Sequence, residues 1–422
     1  MYCSLRSEDR QLYNLKKVIF SGKLEVGVLK EALEGLKVVE VGNILAGPFC
    51  GTMLADFGAE VIKVEPPHEG DLSRTMGRIK DMWFAVEGRN KKCVTLNLKA
   101  PRGKELLLEL LKEADILIEN FRPGVFERLG FTWEKLHEMN PRLIFLSASG
   151  FGQTGPYSHR PGFDRIGLAM GGFLHVTGFP DGPPIKPGLS VADFMTAMFG
   201  AIGVMFAVYH RDVIGTGLGQ RIDCCLTETM IRTQESIIAE YSYDGFVRNR
   251  VGNGTLVTIP SGHFLTKDNQ YLVLTVTGDK LFSQFAKAIG REDLLESAEY
   301  NTSEGRMRNR DELNKIAEDW AREHMIDECL AALGDDFPSC KVYTVEDIMK
   351  DPHFAFRENI IKVQTKKFGE ISMQGIVPKM SETPGEVKWS GPELGEHNEE
   401  VYCGKLKLSK KEFEKLQADN VI

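Results

Sequence analysis

Short apolar runs alternate with segments of helical period over the first half of the chain. Lys37-Val38-Val39-Glu40-Val41 reads as a buried strand, Gly42 to Gly47 breaks it, and Met53, Leu54 and Phe57 continue in a helix-like run. Ala59 to Glu65 reads as a second strand, which makes a βαβ unit of parallel strands joined by a right-handed crossover. Cys93 to Leu98 is a third strand. Pro101 suits the first turn of a helix whose leucines at 106, 107, 110 and 111 share one face and which ends near Ala114. Asp115 to Glu119 follows as a strand, Thr132 to Met139 as a helix and Leu143 to Leu146 as a strand. The alternation predicts an α/β fold, with a Rossmann-like, mostly parallel open sheet covered by helices on both faces.

From Ser149 to Gly188 glycines and prolines crowd together, and the segment reads as ordered loop or linker. Ser190 to Tyr209 is almost wholly apolar or small, interrupted by Asp193, Gly200 and Gly203; it reads as a central helix of a large α/β protein rather than a membrane span. Gln220 to Cys224 is a strand candidate and Thr227 to Tyr243 a helix. Gly262 to Leu274 reads as a hairpin turning at Asp268-Asn269, Lys280 to Leu333 as charged helix, and the tail from Lys341 as mixed strands before a helix opened by Ser409-x-x-Glu412. The domain expectation is an extension over 1–32, a large domain over 33–225, a smaller α+β domain over 226–335, and a C-terminal segment over 336–422 returning to the large one.

Composition narrows the function classes. Net charge is −8, so no global basic field attracts nucleic acid or an anionic membrane, and an anionic ligand must be caught locally. Eight scattered cysteines without C-x-x-C spacing point to reduced thiols and a cytoplasmic setting. Glycine, 42 residues of 422, exceeds its usual share, which implies many tight turns or close backbone approaches to a ligand.

Four constellations carry candidate chemistry. The turn Gly42 to Pro48 points backbone N–H groups and a helix N-terminus at whatever binds above the sheet, and Glu65 ends the next strand. That suggests a dinucleotide fold, yet the turn lacks G-x-G-x-x-G. The spacing does occur at Gly150, Gly152 and Gly155, where loop follows instead of helix. Asp193 is a lone carboxylate at the start of an apolar helix, equally readable as a helix cap or a catalytic group. Asn90-Lys91-Lys92, Lys99, Asn120 to Gly124 and Arg128 lie near strand ends, where a phosphate ligand needs cations. Gly252-Asn253-Gly254 is either a plain turn or an active-site lid. The histidines and cysteines show no metal-ligand spacing, and neither G-x-S-x-G nor a P-loop is present.

Leu33 to Val38, Leu45-Ala46-Gly47-Pro48, Gly58 to Glu65, Asn90-Lys91-Lys92, Glu119 to Gly124, Gly150 to Pro156 and Leu394-Gly395-Glu396-His397 occur in the order found in class III CoA-transferases, and the chain resembles that family from about Leu33 onward. The resemblance implies an interlocked homodimer and transfer of CoA from an acyl-CoA, with succinyl-CoA the family's habitual donor, to a free carboxylic acid, with no permanently bound cofactor. It implies Asp193 as nucleophile, by match of Val191-Ala192-Asp193 to the family motif. It places CoA against Leu45, Ala46, Leu96, Lys99, Asn120, Phe121, Arg128, Ser149, Gly150, Phe151 and Gly152, with Gly252, Asn253 and Gly254 as the covering loop. Some members carry an Arg where this chain has Pro66 and Pro67, which leaves the grip on the nucleotide end open. Arg160, Arg165, Lys186 and Arg250 are candidates for a second carboxylate of the acceptor. The family also holds α-methylacyl-CoA racemases, whose His matches Phe163 here; phenylalanine cannot exchange a proton, so the racemase reading is disfavoured. An NAD-dependent dehydrogenase is the further alternative.

Overall fold

The structure, a computed structural model, describes residues 31–422 apart from Leu256, so the expected extension over 1–32 lies almost wholly outside the described residues. Six strands, β1 (Lys37–Glu40), β2 (Glu60–Glu65), β3 (Lys91–Thr95), β4 (Ile116–Glu119), β5 (Ile144–Ser149) and β6 (Arg221–Cys225), form one sheet in the order β3-β2-β1-β4-β5-β6. Every pairing in it is parallel. The strands read as continuous apolar runs because both faces are covered. Val39, Ile62, Val94 and Leu117 point to one side, where they pack on Leu106, Leu107, Leu110 and Leu111 of the helix Pro101–Lys112 and on C-terminal residues Tyr402 and Leu416. Val38, Val61, Ile116 and Ile144 point to the other, against the helices Pro48–Asp56 (α1) and Val191–Val208 (α2).

The C-terminal residues close the β3 edge. Asn398 Oδ1 accepts from Thr95 N–H at 2.8 Å, His397 Nδ1 accepts from Cys93 N–H at 3.2 Å, and Tyr402 donates its hydroxyl to the Thr95 carbonyl at 2.7 Å. An open parallel edge is thereby satisfied by side chains more than 300 positions away.

A separate antiparallel sheet, β7 (Ser261–Leu265), β8 (Tyr271–Thr275) and β9 (Ser339–Lys341), packs with helices around Phe282, Phe285, Leu313 and Ala317. Asn269 takes a φ of 58° in the β7–β8 turn, where the sequence places it. Ile360–Thr365 and Gly369–Gln374 form a further hairpin.

Two sequence expectations are corrected. The Thr227 to Tyr243 helix is two helices, Leu226–Arg232 and Ile237–Asp244, parted where Glu235 adopts a φ of 48° that no helix interior accommodates. The Ser149 to Gly188 segment is not all loop: Asp164–Met170 is a helix, hidden in the sequence by its glycine-rich flanks and held by the packing of Leu168 against Ala192 and Leu226.

Candidate active site

In this sheet β1 and β4 are neighbours while their chain connections leave in opposite directions, so a crevice opens above their carboxyl ends. The turn after β1 and the residue after β4 meet there. Asn43 N–H donates to Asn120 Oδ1 and Asn120 Nδ2 donates back to the Asn43 carbonyl, both at 2.7 Å. Asn43 Oδ1 in turn accepts from Leu72 N–H at 2.9 Å. Ile44, a β-branched residue, sits at φ 66°, and its N–H donates to Asp71 Oδ1 at 3.0 Å. Among the described residues, no acceptor meets the N–H groups of Leu45 or Ala46. Those two residues are buried, and after Gly47 at the cap position α1 begins at Pro48.

Beneath the turn lies a buried charge cluster. Lys63 Nζ is 2.8 Å from Glu40 Oε1, 2.7 Å from Asp71 Oδ2 and 3.0 Å from the Gly42 carbonyl. Lys91 Nζ reaches Glu40 Oε2 at 2.8 Å and the Pro48 carbonyl at 2.6 Å. Burial opposes ionisation of Asp71, but the Lys63 ammonium and the Ser73 donors outweigh it and hold the carboxyl at about 2. Gly51 is what admits Glu40, since a Cβ there would lie 2.1 Å from Glu40 Oε2.

Asp193 stands on the third residue of α2, not at its cap: Ser190 occupies the cap position and makes no side-chain capping bond. The helix start is held from outside, where Asp164 Oδ1 accepts from Ala192 N–H at 2.8 Å. Ala46 and Ala192 share one small apolar cluster, and Phe49 meets Phe194 edge-on with centroids 4.8 Å apart, so the α1 and α2 starts are packed together and Asp193 is beside the turn. The Asp193 carboxylate has no hydrogen-bond partner among the described residues. Burial, and secondarily the Asp164 charge, push it from 3.8 up to about 7, with Lys186 pulling the other way. Such a carboxylate is expensive to bury and strongly nucleophilic when ionised.

The remaining expected site residues fall into groups. Ser149 Oγ accepts from Gly152 N–H at 3.0 Å, and Gly150 crosses Gly162 so closely that a Cβ on Gly150 would lie 2.7 Å from Gly162 Cα. The Leu96 side chain is in the main core, which leaves only its backbone for a ligand, whereas Lys99 and Arg128 are exposed and Phe121 is half-buried on Phe126. Gly252 N–H donates to the Gly178 carbonyl at 3.0 Å, and Arg250 donates to the His175 and Phe179 carbonyls, so the Gly252 to Gly254 loop is strapped to the segment that leads into α2.

Several expectations are overturned. Asn90, Lys91 and Lys92 stand at the amino end of β3 and do not meet a phosphate: Lys91 is wholly buried on Glu40, Asn90 serves Asp56 and the C-terminal segment, and Lys92 pairs with Glu60 and Glu400. Glu65 is closed off by a two-pronged Arg74 pair, both contacts 2.7 Å, and so offers nothing to a ribose. Lys186 is committed to the Pro187 and Leu189 carbonyls and to Asp164 at 3.3 Å, which leaves no donor for a substrate carboxylate. Arg160 lies over the Tyr157 ring. A cavity of about 1230 Å³ borders His68, Leu72, Arg74, Phe84, Lys366 and Trp389 and does not include Asp193. Sequence reasoning missed Asp71, Asp164 and the Glu40–Lys63 pair. For the pair a signal existed: each interrupts an apolar strand, and the parallel register sets them side by side.

A model of CoA-transferase family III matches residues 33–398. The chain belongs to that family. Succinyl-CoA–D-citramalate CoA-transferase of Chloroflexus aurantiacus is 41% identical over 396 residues, which cover 92% of this chain and 98% of the relative. Formyl-CoA:oxalate CoA-transferase of Streptomyces coelicolor is 33% identical, covering 93% and 99%. The crystal structure of a CAIB/BAIF family protein from Brucella suis aligns with a TM-score of 0.80 at 32% identity, over 89% of this chain and 99% of that one. The protein is thus a family III CoA-transferase, and acyl-CoA chemistry is the frame for the unpaired carboxylate beside the β1 turn.

Proposed function

We propose that this CoA-transferase moves CoA from an acyl-CoA to a free carboxylic acid through covalent intermediates on Asp193. The observation that carries the reading is a desolvated Asp193 carboxylate with no partner, packed beside a turn whose N–H groups at Leu45 and Ala46 are free. Asp193 attacks the thioester carbonyl, the C–S bond breaks, and CoA leaves as thiolate from a mixed anhydride. The thiolate then attacks the aspartyl carbonyl, which releases the donor acid and leaves an aspartyl-CoA thioester. The acceptor carboxylate attacks that thioester, CoA leaves again, and its return to the acceptor's acyl carbon regenerates the Asp193 carboxylate. One thioester is exchanged for another, so the protein's task is positioning and exclusion of water.

Succinyl-CoA, named for the Chloroflexus relative, is the first donor to test. CoA is held along the β1, β3, β4 and β5 carboxyl ends, with Lys99 and Arg128 as the exposed cations for its phosphates. The loop Gly252 to Gly254 moves with the 175–179 segment to cover the intermediate. The racemase reading loses its second base: Phe163 is exposed at the start of the Asp164–Met170 helix and carries no proton to exchange.

The assembly is a homodimer, interlocked as the resemblance implies, with the large domain over 33–225, the small one over 226–335 and the returning segment over 336–422. Exposed apolar residues on α2 and just beyond its end support it: Ile202, Phe206, Tyr209, Val213 and Ile214. The covalent step is tested by incubating the protein with acyl-CoA, trapping with hydroxylamine or borohydride, and mapping the label; modification at Asp193 is expected, and modification elsewhere overturns the assignment.

A further inference from the structure

The β1 turn is held at every polar contact it makes. Lys63 holds the Gly42 carbonyl, Asn120 holds both polar groups of Asn43's backbone, Asp71 holds the Ile44 N–H, and Lys91 holds the Pro48 carbonyl. Among the described residues no acceptor meets the Leu45 and Ala46 N–H groups, and Ala46 packs in one cluster with Ala192, the neighbour of Asp193. At the centre is Ile44, whose φ of 66° is costly for a β-branched side chain and persists only if its surroundings impose it. The contact that imposes it comes from Asp71, whose Oδ1 also accepts from Ser73 N–H and Oγ at 2.8 and 2.7 Å and whose other oxygen is fixed by Lys63. Asp71 therefore cannot turn away from Ile44 without breaking three other contacts.

We infer that Asp71 is a positioning residue for transfer: its bond to Ile44 N–H keeps the turn left-handed, so that the Leu45 and Ala46 N–H groups stay aimed at the acyl group on Asp193. The inference rests on the Asp193 reading above. Groups that act on the reacting carbonyl rather than on the body of CoA change kcat and leave KM largely alone. A glycine at position 44 accepts the same φ without strain and needs no such restraint.

The experiment measures steady-state transfer from succinyl-CoA by wild type, Asp71→Ala and Asp71→Ala/Ile44→Gly, with folded content checked by circular dichroism. Asp71→Ala is expected to lose about a hundredfold in kcat with KM for the acyl-CoA changed by less than about threefold. The double variant is expected to regain at least about tenfold of kcat. A folded Asp71→Ala that keeps kcat, a loss confined to KM, or a double variant no better than the single one overturns the inference. If Asp71→Ala does not fold, Asp71→Asn decides: it keeps the Ile44 acceptor and loses the charge, so kcat is expected to stay within about tenfold of wild type, and a larger loss overturns the role of the turn. Hydroxylamine mapping on wild type judges the Asp193 reading separately, since it does not depend on residue 71.

Discussion

The Asp193 carboxylate opposes folding, and replacing it tests that directly. Its pKa rises from 3.8 unfolded to about 7 folded, with burial as the larger cause and Asp164 the smaller. Between those values the native state binds a proton that the unfolded chain releases, so the native state is favoured at low pH and loses stability as pH rises through the window from about 4 to 7. A shift of about 3 units at about 1.4 kcal/mol each sets an upper bound of about 4 kcal/mol. Water admitted to the crevice lowers it, and about 2 kcal/mol is a working expectation. Asp193→Asn removes the charge and nearly preserves shape. The assay is denaturant unfolding of both proteins at pH 5, 6, 7 and 8, read as the difference between them so that shared titrations cancel. The variant should be more stable by about 2–4 kcal/mol at pH 8, and the gap should close toward pH 4. A gap independent of pH, or a variant less stable at pH 8, would refute the picture of a desolvated, unpaired carboxylate.

Other expectations follow from single contacts. Asp164→Asn keeps an acceptor for Ala192 N–H but removes a negative charge that raises the Asp193 pKa, so the acid limb of the kcat/KM profile should move to lower pH; a limb that stays or rises contradicts this. Gly51→Ala drives a methyl into Glu40 and parts it from Lys63 and Lys91, at a cost of about 3 kcal/mol or more in unfolding free energy. On the proposed homodimer, Phe206→Asp on the exposed face of α2 should shift the mass measured by light scattering from dimer to monomer while circular dichroism stays constant, and a wild type that is already monomeric contradicts the assembly.

The legible parts of this fold are those whose environment repeats along the chain. Strands β1 to β5 stand out because a parallel strand buried on both faces must be apolar throughout, and the Pro101–Lys112 helix because its leucines recur on one face. The Asp164–Met170 helix was invisible for the opposite reason. It is stabilised by contacts with Ala192 and Leu226, distant in sequence, while its local flanks are glycine and proline. The break at Glu235 likewise has no local sign, since no glycine or proline marks it.

The same division runs through the site. Residue order alone is enough to read an α/β sheet with a glycine-broken turn after β1 and an apolar helix opened by Asp193, and to see that the ordered motifs resemble those of the CoA-transferases. Residue type alone leaves Asp193 readable as cap or catalytic group, because an aspartate serves both, and it is the resemblance of Val191-Ala192-Asp193 to the family motif that implies the nucleophile. Folding puts Ser190 at the cap position, leaves the half-buried Asp193 carboxylate without a hydrogen-bond partner among the described residues and brings the Ala46 turn against Ala192, which is the setting the proposed nucleophile needs. It also turned Lys91 and Glu65 from candidate ligand contacts into buried pairs, because charge in a protein is read by its neighbours in space, and those neighbours come from β1 and from Arg74.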